Sequence, residues 1–173
     1  MTCPATKIKE TLRGIEGREE WRIALSGKMC SGKTRTALQL VEDIPGMIRL
    51  NFAQGVYQIA RDYFGMVEKD RDLLQKIGQT VKSIDPDVWV KHLLREIDKN
   101  SHCPVVIDDL RFPNELKALK ERGFFLVRLE VSPDLQSQRI EELYPDQAPA
   151  RREDISECAL DGQLDQFDLV IYL

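Results

Sequence analysis

The chain contains two glycines five positions apart, with a lysine and a threonine directly after the second one. Residues 27–34 read Gly-Lys-Met-Cys-Ser-Gly-Lys-Thr and match the pattern G-x-x-x-x-G-K-[ST] at every fixed position. The short apolar segment 21–26 before them is typical of a buried strand, and apolar residues at helical spacing over 34–43 indicate a helix after them. The motif therefore predicts a strand, a tight glycine-rich turn and a helix, in that order.

The same turn predicts a phosphate-binding site. Glycine lets the backbone fold so that successive N–H groups point inward, at the positive end of the following helix. Lys33 is expected to reach the β and γ phosphates of a nucleotide as a point charge, and the Thr34 hydroxyl to bind Mg²⁺. We therefore predict ATP and Mg²⁺ as cofactors. The predicted nucleotide-binding residues are Gly27, Lys28, Met29, Cys30, Ser31, Gly32, Lys33 and Thr34.

Apolar strand-like segments alternate with helix-like segments along the rest of the chain. Strands are expected near 47–52, 104–109, 124–131 and 167–173, and this alternation predicts an α/β protein with a mostly parallel, five-stranded sheet covered by helices on both faces. In such a sheet, the loops that follow the strands share one edge, where ligands bind. A short helix is expected over 70–78, closed by Gly78, and another from Asp85-Pro86-Asp87 to about Asn100.

Length and composition restrict the classes of function. The 173 residues suit one domain at 21–173, preceded by an extension at 1–20 in which 6–15 is either an amphipathic helix packed on the core or a mobile segment. The net charge of −4 offers no general attraction to nucleic acid or to a membrane surface. The four scattered cysteines and two histidines make a zinc site unfavourable and suggest reduced thiols in the cytoplasm. A homodimer is left open.

Two adjacent acids follow the predicted strand at 104–109. An acid at the end of an apolar strand, in a chain with this phosphate-binding turn, is placed to bind Mg²⁺ or to orient the phosphate acceptor. Asp109 is preferred over Asp108 because it lies at the very end of the strand. Arg111 is near enough to bind an anionic substrate, whereas Glu115 either contacts substrate or only stabilises the first turn of the next helix.

Three further arginines are candidates for binding the transferred phosphate. Arg139 lies about one turn into the helix that begins at Ser132-Pro133, and Arg151 and Arg152 lie in the polar segment 144–154. Phosphoryl transfer needs positive groups around the equatorial oxygens while water is excluded, which suits arginines on a closing lid. We predict a lid at about 139–156.

Taken together, the phosphate-binding turn, Asp85-Pro86-Asp87-Val88-Trp89 and Asp109-Leu110-Arg111-Phe112-Pro113-Asn114-Glu115 resemble the phage-type deoxynucleoside monophosphate kinases. These are adenylate-kinase-like P-loop proteins, and the resemblance runs from about residue 21 to the C-terminus. It implies a P-loop NTPase fold and transfer of the γ-phosphate of ATP to a small-molecule nucleotide. It also implies an acceptor-binding insertion at about 52–100, with substrate contacts from Arg61, Lys82 and Trp89 in addition to Asp109 and Arg111.

The sequence departs from the family pattern at two points. Lys82 stands where arginine is expected, so that a forked phosphate contact becomes a single-point contact, and Leu173 lies on the last expected strand, before the loop that commonly helps to hold adenine. Two alternatives therefore stay open: a kinase for another small metabolite, similar to dephospho-coenzyme A kinase, and a non-catalytic ATP-binding module. A GTPase is disfavoured because the chain has no Asn-Lys-x-Asp stretch.

Overall fold

A computed structural model describes residues 3–15, 21–143 and 158–173. The helices within these ranges are α1 (Pro4–Arg13), α2 (Lys33–Asp43), α3 (Gln54–Phe64), α4 (Arg71–Ile84), α5 (Val88–Lys99), α6 (Pro113–Glu121) and α7 (Pro133–Leu143). The strands are β1 (Arg22–Gly27), β2 (Ile48–Leu50), β3 (Val105–Leu110), β4 (Phe125–Glu130) and β5 (Leu169–Tyr172). The predicted order of strands and helices is therefore the observed order.

The strands form one five-stranded sheet in the order β2-β3-β1-β4-β5. β1 pairs in parallel with β3 on one side and with β4 on the other, and β4 pairs in parallel with β5. The apolar character of the strands explains this arrangement, because parallel strands are buried on both faces. The predicted α/β class with a parallel five-stranded sheet is confirmed. Strand β2 is shorter than the expected segment 47–52.

Residues 1–49 and 103–173 form one compact unit, and residues 50–102 form a second. The core of the first unit includes Ile23 and Leu25 of β1 and Val127 and Leu129 of β4. Helix α1 belongs to the same core, because its side chains Ala5, Ile8 and Leu12 lie on one face and are buried there. Segment 6–15 is thus largely an amphipathic helix, the first of the two forms that its sequence allows.

The second unit has a small core of its own, in which Val56 and Ala60 of α3, Ile77 of α4 and Trp89 of α5 are buried. Helix α4 begins as predicted, with the Asp70 side chain accepting the Leu73 N–H at 3.0 Å.

The prediction that Gly78 ends helix α4 is wrong, since the helix continues to Ile84. The physical reason is tertiary packing. The Gly78 carbonyl accepts a hydrogen bond of 3.2 Å from the Trp89 indole, and Val56 lies close to the position where a side chain would begin. A glycine inside a helix costs stability, but here the hydrogen bond from the Trp89 indole and the burial of Ile77 keep the helix intact past this position.

Gly55→Ala and Gly78→Ala are matched substitutions in the second unit, and we expect them to change its stability in opposite directions. A Cβ at Gly55 would lie 2.8 Å from the Trp89 ring and 3.2 Å from His92. Overpacking of this kind costs about 1–3 kcal/mol. A Cβ at Gly78 would meet Val56 at 4.0 Å, an ordinary contact, so alanine should stabilise the helix by about 0.5–1 kcal/mol. Urea unfolding measures both changes, and equal stabilities would contradict the packing of Trp89.

Ile8→Ala tests whether α1 contributes to the stability of the first unit. Ile8 is fully buried, so its truncation should lower the free energy of unfolding by about 2–5 kcal/mol. Lys7→Ala, at an exposed position of the same helix, is the control and should change stability by less than about 0.5 kcal/mol. A silent Ile8→Ala in thermal or urea unfolding would show that α1 does not belong to the cooperative core.

Candidate functional site

The glycine-rich turn connects β1 directly to α2, and backbone conformation explains both of its fixed glycines, with crowding as a further reason at Gly27. Gly27 has φ +147°, and a Cβ there would lie 2.5 Å from the Leu129 carbonyl oxygen and 2.6 Å from Ser31 Oγ. Gly32 has φ +89° and is the residue before the first turn of α2. Both conformations are strained for residues with a side chain. The turn can therefore run close to β4 and enter the helix without a break.

Two side chains of α7 donate hydrogen bonds to the outer side of the turn. Gln136 Nε2 donates to the Met29 carbonyl at 2.9 Å, and Arg139 Nη1 donates to the Cys30 carbonyl at 3.0 Å. Cys30 has φ +61°, a left-handed conformation that is uncommon for residues other than glycine. The structure thus brings Arg139 into contact with the predicted phosphate-binding turn, and its contact with a phosphate stays a prediction.

The Lys33 side chain is buried inside the turn. Its Nζ donates to the Gly27 carbonyl at 2.5 Å and to the Lys28 carbonyl at 2.7 Å, with Ser31 Oγ at 3.4 Å. A buried ammonium needs such partners because an unpaired charge is costly to desolvate. The turn therefore holds a positive charge in its centre, where the sequence motif predicts a phosphate.

Asp108, in the second half of β3, is the acid that contacts Thr34, the other predicted metal ligand. Its Oδ2 accepts the Thr34 hydroxyl at 2.8 Å. Arg49 binds the same carboxylate as a fork, with Nε at 2.9 Å from Oδ1 and Nη2 at 2.8 Å from Oδ2. Asp108 is only 4% exposed, so a cation beside it is needed to offset its desolvation. These hydrogen bonds, and to a smaller degree the nearby charge of Asp109, raise the pKa of Arg49.

This geometry favours Asp108 over Asp109, the acid preferred from the sequence, as the partner of Thr34. The register of β3 against β1 shifts between Ile107 and Leu110, so both acids lie in an irregular part of the strand, where the alternation of side chains does not decide which acid faces α2. The hydrogen bond from the Thr34 hydroxyl shows that Asp108 does. Arg49 was not identified from the sequence, because no motif marks a single arginine in a strand of three residues.

Glu115 is buried and its carboxylate contacts the backbone. Its Oε2 accepts the N–H groups of Arg111 and Phe112, at 2.9 Å and 3.0 Å. These contacts satisfy N–H groups at the start of α6 and fix the backbone of Arg111, which is the stabilising alternative considered from the sequence. Contacts of Arg111 or Glu115 with substrate stay predictions.

A second buried charge lies on the opposite side of β1 from Asp108. Arg128 of β4 donates to Ser26 at 3.1 Å, to Glu130 at 2.6 Å and to Asp161 at 2.7 Å. The other oxygen of Asp161 lies 2.9 Å from the Lys28 ammonium. That hydrogen bond, more than compensating for burial, raises the pKa of Lys28.

The remaining predicted substrate contacts belong to the second compact unit. Arg61 on α3 is exposed, Lys82 on α4 is half-buried and Trp89 lies in the core of the second unit. Their roles in substrate binding stay predictions. Arg151 and Arg152, and most of the predicted lid, lie outside the described residues.

The donor atoms beside the turn fit Mg²⁺. Thr34 and Asp108 supply a hydroxyl and a carboxylate, the hard oxygen donors that this ion prefers. Within the described ranges, no three His, Cys, Asp or Glu side chains gather as a metal site. Mg²⁺ is commonly held by one or two protein groups together with substrate phosphates and water, so this small donor set suits it. In the described part of the chain, no helix has the length and apolar character needed to cross a membrane.

Comparison with solved structures identifies the fold. The tunicamycin resistance protein of Deinococcus radiodurans matches with a TM-score of 0.58 and 20% identity, over 89% of this chain and 86% of that protein. A chain of the Pnkp1/Rnl/Hen1 RNA repair complex matches with a TM-score of 0.48 and 16% identity, over 88% and 48% of the two chains. The chain has a P-loop NTPase fold with a five-stranded parallel sheet, as predicted.

No protein family profile matches the chain. Among curated proteins, the uncharacterized protein ORF77 of Ictalurid herpesvirus 1 (strain Auburn) is 29% identical over 106 residues, which are 58% of this chain and 46% of that protein. The match therefore spans less than half the length of this relative.

Arg49→Met tests the ion pair at the centre of the site. The substitution leaves the buried Asp108 carboxylate without its fork, and we expect it to lower the free energy of unfolding by about 1–3 kcal/mol. Adding Asp108→Asn should recover part of that loss, because the uncompensated charge disappears. Arg35→Met, at an exposed position of α2, is the control for loss of an arginine. Urea unfolding of these three variants and the wild-type protein measures the changes, and an Arg49→Met protein as stable as the wild type would contradict the pairing.

Proposed function

We propose that this protein is a phosphotransferase that moves the γ-phosphate of ATP to a nucleoside or deoxynucleoside monophosphate, yielding ADP and a nucleoside diphosphate. The observation that carries the proposal is the contact between Thr34 and Asp108 beside the turn that surrounds Lys33. A strand-to-helix turn that binds no ligand does not need a lysine in its centre. It also does not need an acid from a neighbouring strand beside the helix that follows it. The same arrangement suits a triphosphate with its metal ion.

The turn and Lys33 would bind the phosphates of ATP. Backbone N–H groups at the N-terminus of α2 favour an anion there, and Lys33 already lies among the carbonyls of Gly27 and Lys28. A phosphate oxygen is a stronger acceptor for an ammonium than a neutral carbonyl, so Lys33 is expected to exchange partners when ATP binds. No covalent intermediate with the protein is needed.

Thr34 and Asp108 would hold Mg²⁺ together with ATP, and the ion would neutralise charge on the β and γ phosphates. We assign this role to Asp108 in preference to Asp109, because Asp108 faces the Thr34 hydroxyl. Arg49 would act through Asp108 by fixing the orientation of its carboxylate.

The transfer itself requires alignment and charge neutralisation. An oxygen of the acceptor phosphate forms a bond to the γ-phosphorus while the bond from that phosphorus to the β–γ bridging oxygen breaks, and ADP retains the bridging oxygen. Arg139, which contacts the turn, would neutralise the moving charge, and Arg111 would face the acceptor. Arg151 and Arg152 are proposed to assist from the lid. For the acceptor we retain Arg61, Lys82 and Trp89 as proposed contacts within the second unit.

The test is ADP release from ATP and Mg²⁺ across a panel of ribonucleoside and deoxynucleoside monophosphates, with dephospho-coenzyme A as a further acceptor. We expect turnover that depends on the acceptor. Lys33→Ala should reduce kcat roughly a hundredfold or more, because it removes a charge that stabilises the transition state. Asp108→Asn should reduce kcat/KM about tenfold to a hundredfold, and Asp109→Asn less.

Equilibrium ATP binding, measured alongside turnover, separates the alternatives. Turnover with dephospho-coenzyme A alone would replace the nucleotide acceptor with another metabolite. ATP binding without turnover for every acceptor would indicate a non-catalytic module. If Asp109→Asn lowers kcat/KM more than Asp108→Asn does, Asp109 is the metal ligand instead of Asp108.

A further inference from the structure

Arg128 is a buried cation that the proposed reaction does not use. It lies on β4 next to the central strand and is only 2% exposed. Burying a guanidinium is unfavourable unless its N–H groups are satisfied by acceptors, preferably charged ones. The described contacts satisfy it with the Ser26 hydroxyl and the carboxylates of Glu130 and Asp161. The sheet therefore contains a buried, ion-paired guanidinium that contacts Ser26, the residue just before the phosphate-binding turn.

Asp161 joins this fixed charge to the turn. One of its carboxylate oxygens accepts a hydrogen bond of 2.7 Å from Arg128, and the other lies 2.9 Å from the ammonium of Lys28, the first variable residue of the motif. Asp161 is far from both residues in sequence, so the contact is a tertiary one. The Lys28 ammonium is therefore paired with Asp161, although the backbone of Lys28 is part of the turn.

We propose that Asp161 is a positioning residue for ATP: it holds the phosphate-binding turn in its binding conformation through Lys28, with Arg128 as the buried anchor. The Lys28 side chain then stabilises the turn and does not itself bind phosphate. This inference rests on the proposed function, since it assumes that ATP binds at the turn.

The conformation of the turn explains why an anchor is needed. Its N–H groups must converge on one anion, and Cys30 adopts a left-handed conformation that a side chain disfavours. Hydrogen bonds from Gln136 and Arg139 hold the carbonyls of Met29 and Cys30, and the ion pair with Asp161 holds Lys28. A turn that is ordered in advance loses less entropy when the phosphates bind. Loss of Asp161 should therefore weaken ATP binding more than it slows the transfer step.

The experiment compares Lys28→Gln, Asp161→Asn and the double variant with the wild-type protein. Calorimetry measures ATP binding without acceptor, and hydrogen exchange is measured at the amides of residues 28–32 without nucleotide. Steady-state kinetics give kcat and the KM values for ATP and for the acceptor. We expect each single variant to weaken ATP binding about threefold to tenfold, and the double variant to bind ATP no more weakly than either single variant. The amides should exchange faster in all three variants, with kcat and the KM of the acceptor nearly unchanged.

Two further variants control for folding and for charge. Asp43→Asn removes a carboxylate of similar exposure, paired with Lys9, from the same compact unit, and it should leave ATP binding unchanged. Lys28→Arg retains a cation for Asp161 and should restore most of the affinity that Lys28→Gln loses. Because Lys28 is partly exposed, its variants are expected to fold even if Asp161→Asn is unstable.

The outcomes distinguish this inference from the proposed function. Failure of the wild-type protein to bind ATP would overturn the proposed function and this inference with it. ATP binding that Asp161→Asn leaves unchanged would overturn this inference alone. Losses of affinity that add in the double variant would also overturn it, because they would mean that Lys28 contacts phosphate independently of Asp161.

Discussion

The pairing of β1 with a parallel neighbour on each side determines where the chemistry of this protein can lie. Ser26, at the end of β1, is level with Leu110 of β3 and with Arg128 of β4. Parallel pairing brings the carboxyl ends of all three strands to one edge of the sheet. The phosphate-binding turn, the acid of β3 and the buried arginine of β4 are therefore neighbours, although about a hundred residues separate the first from the last.

Two buried charges of opposite sign flank the central strand at this edge. Asp108 is neutralised by Arg49, and Arg128 is neutralised by Asp161 and Glu130, so each buried group is paired with a more exposed one. Burial makes such pairs costly to form, and removal of one member makes them costlier still. The arrangement orients two side chains toward the turn, Asp108 onto Thr34 and Asp161 onto Lys28. These buried charge pairs therefore orient side chains of the site more than they add to the stability of the fold.

The general fold and the phosphate-binding turn could be predicted from the sequence because both depend on local patterns. Strand and helix periods follow from which residues are apolar, and Gly27 and Gly32 are required by backbone conformations that the structure contains. The failures involve contacts distant in sequence. The sequence predicts a helix end at Gly78 because glycine often ends helices, whereas the contacts of Gly78 with the Trp89 indole and with Val56 lie within a helix that continues to Ile84.

The same limit applies to the charged residues of the site. Two adjacent acids in an irregular part of a strand carry no local information about which one faces α2, so the contact of Asp108 with Thr34 could be seen only in the folded structure. Arg49 and Arg128 are single arginines in strands. Arg49 pairs with an acid 59 residues away along the chain, and Arg128 pairs with an acid 33 residues away in addition to Glu130 on its own strand. Pairings of this kind depend on tertiary structure and have no motif.

The division into two compact units has a consequence for spectroscopy. The chain has two tryptophans, and each unit contains one of them: Trp21 stands just before β1 in the first unit, and Trp89 is buried in the core of the second. Indole emission shifts when the ring leaves an apolar environment for water. A Trp21→Phe protein would therefore report the loosening of the second unit by fluorescence, and a Trp89→Phe protein that of the first, with no added dye or label.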